Sequence, residues 1–284
     1  MWKKILLWLL ATIITLGTSV YQRKTGPTNP LPVEVNIGGQ TVRFRLPRSG
    51  SSTSDKSVVV PGLPEGCTMA LRWREYPSNQ TYSTALATPG AVRNPHSGDS
   101  LRGLVAKLPA QPPAGKLDYY VEIAEADSST VHRAPKEQPV VIRFKGDVPA
   151  WQLIPHIIGM FLSMLFCLYA ALSAALGLKG YGKWLIVGTS LLVVGGFVFG
   201  PLVQHAAFGQ FWSGFPVGTD ITDNKTLVGL VALLAACGSL RTKWHRVATV
   251  LAVVLMMVIF SIPHSVGGSE LNRQTGQVET SRGR

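Results

Sequence analysis

The chain has 284 residues, of which 46% are hydrophobic and only 15% are charged. An average soluble domain carries about 25% charged residues, so the composition argues against a wholly soluble protein. The formal net charge of +12 is of the kind found in nucleic-acid-binding proteins. Several cations, however, flank hydrophobic runs, where they set the orientation of a chain in a bilayer. We therefore expect a lipid bilayer, and no nucleic acid, among the partners.

The first hydrophobic run covers residues 5–20 and follows Lys3 and Lys4. Such a segment is either a signal peptide or an uncleaved signal anchor within residues 1–24. In the first case the small residues Gly17 and Ser19 would direct cleavage after Ser19. The polar and basic residues that close this region favour the anchor. Under both alternatives the chain that follows is exported.

Residues 30–147 predict an exported all-β domain. Residues 33–37 and 41–46 alternate apolar and polar side chains on either side of Gly38 and Gly39, which is typical of a β-hairpin. Proline and glycine clusters separate the remaining short apolar runs, as in a β-sandwich. The further candidate strands cover residues 57–60, 68–75, 81–87, 101–107, 117–125 and 138–145.

The later part of this domain carries a family resemblance. From Leu108 to Ile123, a turn rich in proline and glycine precedes Tyr119 and Tyr120. The stretch resembles the late strands of immunoglobulin-like and fibronectin type III domains, where a tyrosine after such a turn closes a corner. The resemblance implies an Ig-like scaffold and no activity. Cys67 has no other thiol in this domain to pair with and is expected to be a small buried hydrophobe.

From Trp151 onward the chain is membrane-like, and we expect a four-helix transmembrane bundle over residues 151–264. The candidate spans are residues 151–177, 184–204, 225–240 and 246–263. The third is short for a span of about 20 residues, although Thr222 and Asp223 would cap the helix and extend it. Residues 265–284 are polar and are expected to form a disordered tail.

Lysine and arginine predict how these spans are oriented. The connections at residues 179–183 and 241–246 are short and basic, so they lie inside with the N-terminal lysines. The connection at residues 205–224 carries two aspartates and no lysine or arginine before Lys225, so it lies outside. The protein is therefore expected to be a multi-pass protein of a bacterial inner membrane. The β-domain and the tail would lie on the periplasmic side.

Three histidines, His156, His205 and His264, fall at the ends of different hydrophobic segments, and this orientation puts all three at the outer face. Imidazole is costly in hydrocarbon and is a common ligand of haem and of transition metals. The three are therefore candidate ligands of haem b or copper. In the haem version two are axial ligands, and the third donates a hydrogen bond. A single histidine at a helix end is also compatible with simple interfacial hydrogen bonding.

Two methionines share helical faces with these histidines. Met160 lies one turn after His156, and Met257 lies two turns before His264. Thioether and imidazole together form a soft ligand set that suits copper(I). The alternative is that both methionines fill gaps in the packing.

The connection at residues 205–224 has four aromatic residues interspersed with glycines. It is interpreted either as an aromatic element lying in the interface or as a lid over a site formed by the histidines. Asp220 and Asp223 would supply oxygen ligands or orient a histidine. Their simpler roles are a turn residue for Asp220 and a helix N-cap for Asp223.

Two hypotheses of function follow, and neither involves a complete enzyme motif. The first is a redox-associated or metal-handling membrane protein whose histidines hold haem or copper. The second is a non-catalytic assembly subunit of an envelope complex, in which the β-domain binds a periplasmic or membrane protein. A small-molecule transporter is disfavoured, because no charged residue lies in the middle of a predicted span.

Overall fold

The computed structural model describes residues 1–93, 98–126, 130–264 and 266–280. The chain divides into two compact units. The helical unit comprises Met1–Pro27 and Val148–Arg284, and the β unit comprises Thr28–Asp147. The protein thus combines helices and sheets. Within the described ranges, four helices are long and apolar enough to cross a membrane.

The helices follow the predicted hydrophobic runs. Trp2–Thr25, Gly182–Phe208 and Ile221–Arg241 extend beyond their predicted bounds, whereas Ala150–Ala175 and His245–Ser261 end slightly before theirs. A π-helical stretch lies within the continuous helical segment Gly182–Phe208, and a 3-10 turn ends the continuous segment Ile221–Arg241. The last helix is shorter than the other four. The elements are α1 (Trp2–Thr25), α2 (Ala150–Ala175), α3 (Gly182–Leu192), the π-helical turn (Val193–Phe199), α4 (Gly200–Phe208), α5 (Ile221–Gly238), the 3-10 turn (Ser239–Arg241) and α6 (His245–Ser261).

Helix α1 packs against the helices that follow the β unit. The indole of Trp8 contacts three aromatic rings on α2 and α3, those of Phe166, Tyr169 and Trp184. At the other end of α1, the side-chain amide of Gln22 donates a hydrogen bond of 2.6 Å to the carbonyl oxygen of Phe260. The first helix is therefore integrated with α2, α3 and α6.

Small residues let the helix backbones approach closely. A Cβ atom added to Gly159 on α2 would lie 2.8 Å from the Cα of Gly195 in the π-helical turn. A Cβ added to Gly188 on α3 would lie 2.6 Å from the sulfur of Cys167. Close backbone contact of this kind is a common way for helices to associate in lipid, because the burial of apolar surface contributes little free energy there.

The β unit contains all eight predicted strands and three short ones that the sequence did not reveal. The strands are β1 (Leu31–Ile37), β2 (Gln40–Leu46), β3 (Ser49–Ser51), β4 (Lys56–Val60), β5 (Thr68–Tyr76), β6 (Ser83–Leu86), β7 (Thr88–Arg93), β8 (Ser100–Leu108), β9 (Lys116–Ala124), β10 (Val131–Ala134) and β11 (Val140–Lys145). The unpredicted ones, β3, β7 and β10, are short or rich in glycine and polar residues, so they carry little apolar alternation.

These strands form two sheets and a separate hairpin around one apolar core. One sheet has the order β3-β11-β9-β5-β6, with β10 also paired to β9, and the other has the order β4-β8-β7. The hairpin pairs β1 with β2 around Gly38 and Gly39, whose φ angles of 55° and 80° need glycine. The core holds Val35, Leu71 and Ile142 among others.

The tyrosine of the immunoglobulin-like resemblance makes a different contact from the one implied. The hydroxyl of Tyr119 donates a 2.7 Å hydrogen bond to the carbonyl oxygen of Pro47. Burial raises the pKa of Tyr119 well above its usual value, so the hydroxyl stays protonated. A tyrosine corner bonds to backbone a few residues upstream, whereas this bond reaches the turn after β2. The immunoglobulin-like fold therefore stays a prediction.

The C-terminal segment differs from the disordered tail expected for residues 265–284. Its described part contains an antiparallel hairpin of β12 (Ser269–Leu271) and β13 (Val278–Thr280). The side-chain amide of Gln210 donates to the carbonyl oxygen of Val278. A polar composition predicted disorder, but backbone pairing and this anchor supply the order that an apolar core would otherwise provide.

Candidate functional site

His156 lies in the second turn of α2 and is bound to the π-helical turn. Its Nδ1 lies 2.8 Å from the carbonyl oxygen of Gly195. Because that oxygen only accepts, Nδ1 carries the proton and Nε2 keeps a lone pair in the neutral ring. The same carbonyl accepts the N–H of Gly200. Pro201, which lacks an N–H, follows at once, and a wide turn relieves the clash of its ring with the preceding carbonyls.

His264 lies in the turn after α6, near two other basic side chains. The surrounding protein lowers the pKa of His264 to about 3, by desolvation first and then through the charges of Lys225 and His156. The residue as a whole is exposed. The structure thus brings His156 and His264 into one neighbourhood, with Lys225 beside His264. A cation in this neighbourhood opposes the binding of a second positive ion.

His205 has different surroundings. It is exposed in the last turns of α4, and its ring stacks on Phe211 with centroids 4.1 Å apart and planes at 14°. The stacking connects α4 to the aromatic connection that follows it. It gives His205 a packing role in the contacts that the structure describes.

The two candidate methionines pack among apolar residues. Met160 points its sulfur at Gly196, where an added Cβ would lie 3.5 Å away. Met257 on α6 is half-buried against the helical core. Both positions match the packing alternative, in which a flexible thioether fills the space beside small residues.

Asp220 takes the capping role that the sequence predicted for Asp223. Asp220 is the N-cap of α5, and its carboxylate accepts the backbone N–H groups of Thr222 and Asp223. The prediction of Asp223 as the cap was wrong by one turn. Helix α5 starts at Ile221, four residues before the predicted span, because the cap and a first turn of polar residues precede the apolar run.

Asp223 anchors the aromatic connection instead. Its Oδ2 accepts the backbone N–H of Ser213 at 2.6 Å and the Ser213 hydroxyl at 3.1 Å. The amide of Gln204 donates to the same hydroxyl at 2.6 Å, and Asn224 accepts the N–H of Phe215 at 2.7 Å. The connection is therefore fixed to α4 and to the first turn of α5. We call this group of Gln204, Ser213, Asp223 and Asn224 the loop clamp.

The apolar pattern of the sequence did not single out Lys225, the most unusual polar residue of this end. Its side chain is 5% exposed, and its ammonium group donates a 2.7 Å hydrogen bond to the carbonyl oxygen of Ile262. Lys225 was the first residue of the predicted span 225–240. The early start of α5 moves it into the first turns of the helix. The only available signal was the polar run from Asp220 to Lys225.

Four polar side chains of this end are hydrogen-bonded within the protein. His156, Asp220, Asp223 and Lys225 each bond to a backbone or side-chain group of the protein. Among the described residues, no group of three or more histidine, cysteine or carboxylate side chains is placed to hold a metal ion. The geometry therefore shows polar groups that join helix ends and connections.

The β unit carries a second candidate surface on the outer face of β5, β6, β9 and β10. Arg74 holds Asp118 through its Nε and Nη2, at 3.0 and 3.1 Å, and lies over the ring of Tyr82. The guanidinium of Arg133 lies 4.0 Å from the ring centroid of Tyr120. We call this surface the arginine–tyrosine patch. It consists of Arg72, Arg74, Tyr82, Asp118, Tyr120, Glu122 and Arg133.

Strand register explains why these residues share one face. Arg72 lies directly opposite Tyr120, and Arg74 opposite Asp118, in the antiparallel pairing of β5 with β9. Residues that lie opposite each other point to the same side of a sheet. The rings of Tyr82 and Tyr120 then meet edge to face, 5.0 Å apart. The patch is thus held rigidly by the sheet beneath it.

The β unit also has an open groove of about 740 Å³. It is lined by Gly90 and Gly103, which pair across β7 and β8, and by Glu65, Cys67 and Arg102 among others. Gly103 is required because an added Cβ would lie 2.3 Å from the carbonyl oxygen of Val60. Cys67 is half-buried there, so it is less enclosed than expected.

Neither a family model, nor a curated protein, nor a solved structure matches this chain.

Proposed function

We propose that the protein is a membrane-embedded assembly subunit of a bacterial envelope complex. The helices form its base in the inner membrane, with the β unit on the periplasmic side. The observation that carries the proposal is the arginine–tyrosine patch. Arginine and tyrosine are the residue types that dominate binding energy at protein interfaces, and here they stand in a fixed row on a sheet.

The charge pairing within the patch indicates the kind of partner. Arg74 is paired with the almost fully buried Asp118, and Arg72 with Glu122 at 2.7 Å. These pairs hold the aromatic rings without leaving a large net charge. Arg133 is exposed over Tyr120. A protein surface with an acidic side chain beside an apolar pocket complements an arginine that stands over a tyrosine.

The histidine end of the helices agrees with a structural base. Its polar groups connect α2 to the π-helical turn, α4 to α5, and α5 to the turn after α6. Connections of this kind fix the ends of the membrane helices relative to one another, as a structural base requires. No redox group is required for this role.

The test compares two variants of the full chain in native membranes. The patch variant is Tyr82→Ala, Tyr120→Ala and Arg133→Ala, and the matched control breaks the exposed pair of Glu34 and Arg43 by Glu34→Ala and Arg43→Ala. After mild detergent extraction, the wild type and the control are expected to migrate as a complex larger than the free chain on native gels. The patch variant is expected to migrate alone. A wild type that migrates alone contradicts the proposal.

One observation favours the second candidate function, a haem or copper protein. In histidines that bind metals, the other ring nitrogen usually donates its N–H to a carbonyl or carboxylate oxygen. The Nδ1–H of His156 donates to the carbonyl oxygen of Gly195, and Nε2 keeps its lone pair. His264, with a pKa of about 3, is neutral at pH 7. Under this candidate His156 and His264 would ligate the group, and in the haem version His205 would donate a hydrogen bond.

An absorption spectrum and a metal analysis of the detergent-purified protein test this candidate. A Soret band or stoichiometric copper that is lost in the His156→Ala and His264→Ala double variant would establish it. A colourless protein without bound metal, in membranes as well as after purification, would exclude it.

A further inference from the structure

We propose that the end of the helical unit opposite the histidines binds the phosphate groups of anionic phospholipids. We call this the basic end. It carries seven exposed cations: Lys3, Lys4, Lys179, Lys183, Arg241, Lys243 and Arg246. The inference rests on the membrane base of the proposed function. It does not depend on what the β unit binds.

The two basic connections of this end are joined into one surface. The hydroxyl of Tyr181, which precedes α3, is hydrogen-bonded to Nδ1 of His245, which begins α6. Their rings are parallel within 1°. A Cβ added to Gly177 would lie 3.2 Å from Nη1 of Arg246. The cations of the α2–α3 connection therefore stand beside those of the connection between α5 and α6.

The lysines of α1 belong to the same end. Trp8, one turn after Lys4, contacts Trp184, which follows Lys183 directly. The N-terminal turn of α1 is thus near the start of α3. Three separate segments of the chain contribute positive charge to one membrane-facing surface.

The helical segments that carry these cations are almost free of acidic residues. The sequence contains no aspartate or glutamate in residues 148–219 or 224–269, and none before Glu34. Among the described residues, none of the seven cations forms an ion pair. Like charges held together in this way repel one another, and the repulsion is relieved by a bound anion.

Tryptophans place the cations at the depth of lipid phosphates. The ammonium of Lys183 lies 5.2 Å from the ring centroid of Trp184, and that of Lys243 lies 5.7 Å from Trp244, which is 62% exposed. Tryptophan concentrates at the boundary between hydrocarbon and headgroups. Cations held against such rings meet the phosphates of the lipid layer, which favours a lipid over a soluble anion as the ligand.

The test measures lipid binding by the full chain in a neutral detergent. Native mass spectrometry counts bound phosphatidylglycerol or phosphatidylcholine, and a third arm adds inorganic phosphate as a competitor. We expect phosphatidylglycerol to bind at least about tenfold more tightly than phosphatidylcholine, since each cation near an anionic surface contributes measurably. Millimolar phosphate should not displace it. Equal binding of the two lipids, or displacement by phosphate, overturns the proposal.

A pair of variants with the same change in charge locates the site. Arg241→Gln, Lys243→Gln and Arg246→Gln together should weaken phosphatidylglycerol binding by about tenfold or more. The control replaces three exposed cations of the β unit by Arg93→Gln, Lys107→Gln and Lys136→Gln, and should bind like the wild type. If the first variant fails to fold, Lys3→Gln with Lys4→Gln is compared with the matched control Arg93→Gln with Lys107→Gln. Equal binding by variant and control overturns the proposal.

Migration of the native complex is measured separately, so that loss of lipid binding and loss of assembly are distinguished.

Discussion

The indole of Trp8 stacks on the ring of Tyr169, with centroids 4.0 Å apart and planes 12° from parallel. The contact joins the first helix of the chain to α2, which follows the β unit in the sequence. Leu7 and Ala11 are buried on the same helix. We therefore expect α1 to be retained in the mature protein. Intact mass measurement of protein from native membranes checks this, and cleavage after Ser19 would contradict it.

Trp8→Ala tests how strongly α1 is held. The substitution removes ring contacts with Phe166, Tyr169 and Trp184. Lipid replaces these contacts, so the cost is the loss of packing, about 2 kcal/mol for several ring pairs. We expect a lower unfolding temperature in detergent. Trp2→Ala is the control, because Trp2 is 76% exposed and its loss should leave the unfolding temperature unchanged.

Asp223→Ala tests the loop clamp. It leaves the backbone N–H of the buried Ser213 without its acceptor, which costs about 1–3 kcal/mol. We expect the connection between α4 and α5 to be cut faster by protease added to the solubilised protein. Asp223→Asn retains an acceptor oxygen and should be cut more slowly than the alanine variant. Equal cleavage of wild type and Asp223→Ala would show that the clamp does not hold the connection.

Gly159→Ala tests the close approach of α2 to the π-helical turn. The new Cβ would lie 2.8 Å from the Cα of Gly195, and backbone atoms cannot rotate away as a side chain can. The helices must separate, at a cost of about 1–3 kcal/mol. We expect a lower unfolding temperature. Gly17→Ala on α1 meets no atom within 4 Å and should be neutral or stabilising.

The neighbourhood of His264 predicts a dependence on pH. Its pKa in the folded protein is about 3, below the value of about 6.5 for an unfolded chain. Between these values the unfolded chain binds more protons, so stability falls as the pH falls below about 6.5. His264→Gln should therefore lose less thermal stability than the wild type between pH 7.5 and 4.5. The neighbouring Val266→Ala should behave like the wild type, and identical slopes for His264→Gln and wild type would contradict the prediction.

Much of the fold could be predicted because its signals are local. The helices follow long apolar runs, and the β1–β2 hairpin follows from Gly38 and Gly39 between alternating residues. The short strand β3 was missed because its Ser-Gly-Ser sequence has no apolar alternation, and it is held by its pairing with β11. Such pairing joins segments far apart in sequence, and local patterns do not record it.

The candidate site was predicted less well, since its chemistry depends on which groups are already engaged. The sequence singled out His156 and Asp223 as candidate ligands near helix ends. It could not show that Gly195 and Ser213 would bind them. The burial of Lys225 depended on where α5 begins, and the cap at Asp220 shifted that start by four residues from the prediction.

The π-helical turn makes the orientation of α4 sensitive to the number of residues that precede it. A regular helix turns by about 100° for each residue, so the wide turn at Val193–Phe199 changes the direction in which α4 faces. Deleting one residue there would rotate Gln204 and His205 away from Ser213 and Phe211, which they contact now. The phase of this helix, and with it the anchorage of the aromatic connection, depends on the number of residues between Leu192 and Gly200 as well as on the glycines among them.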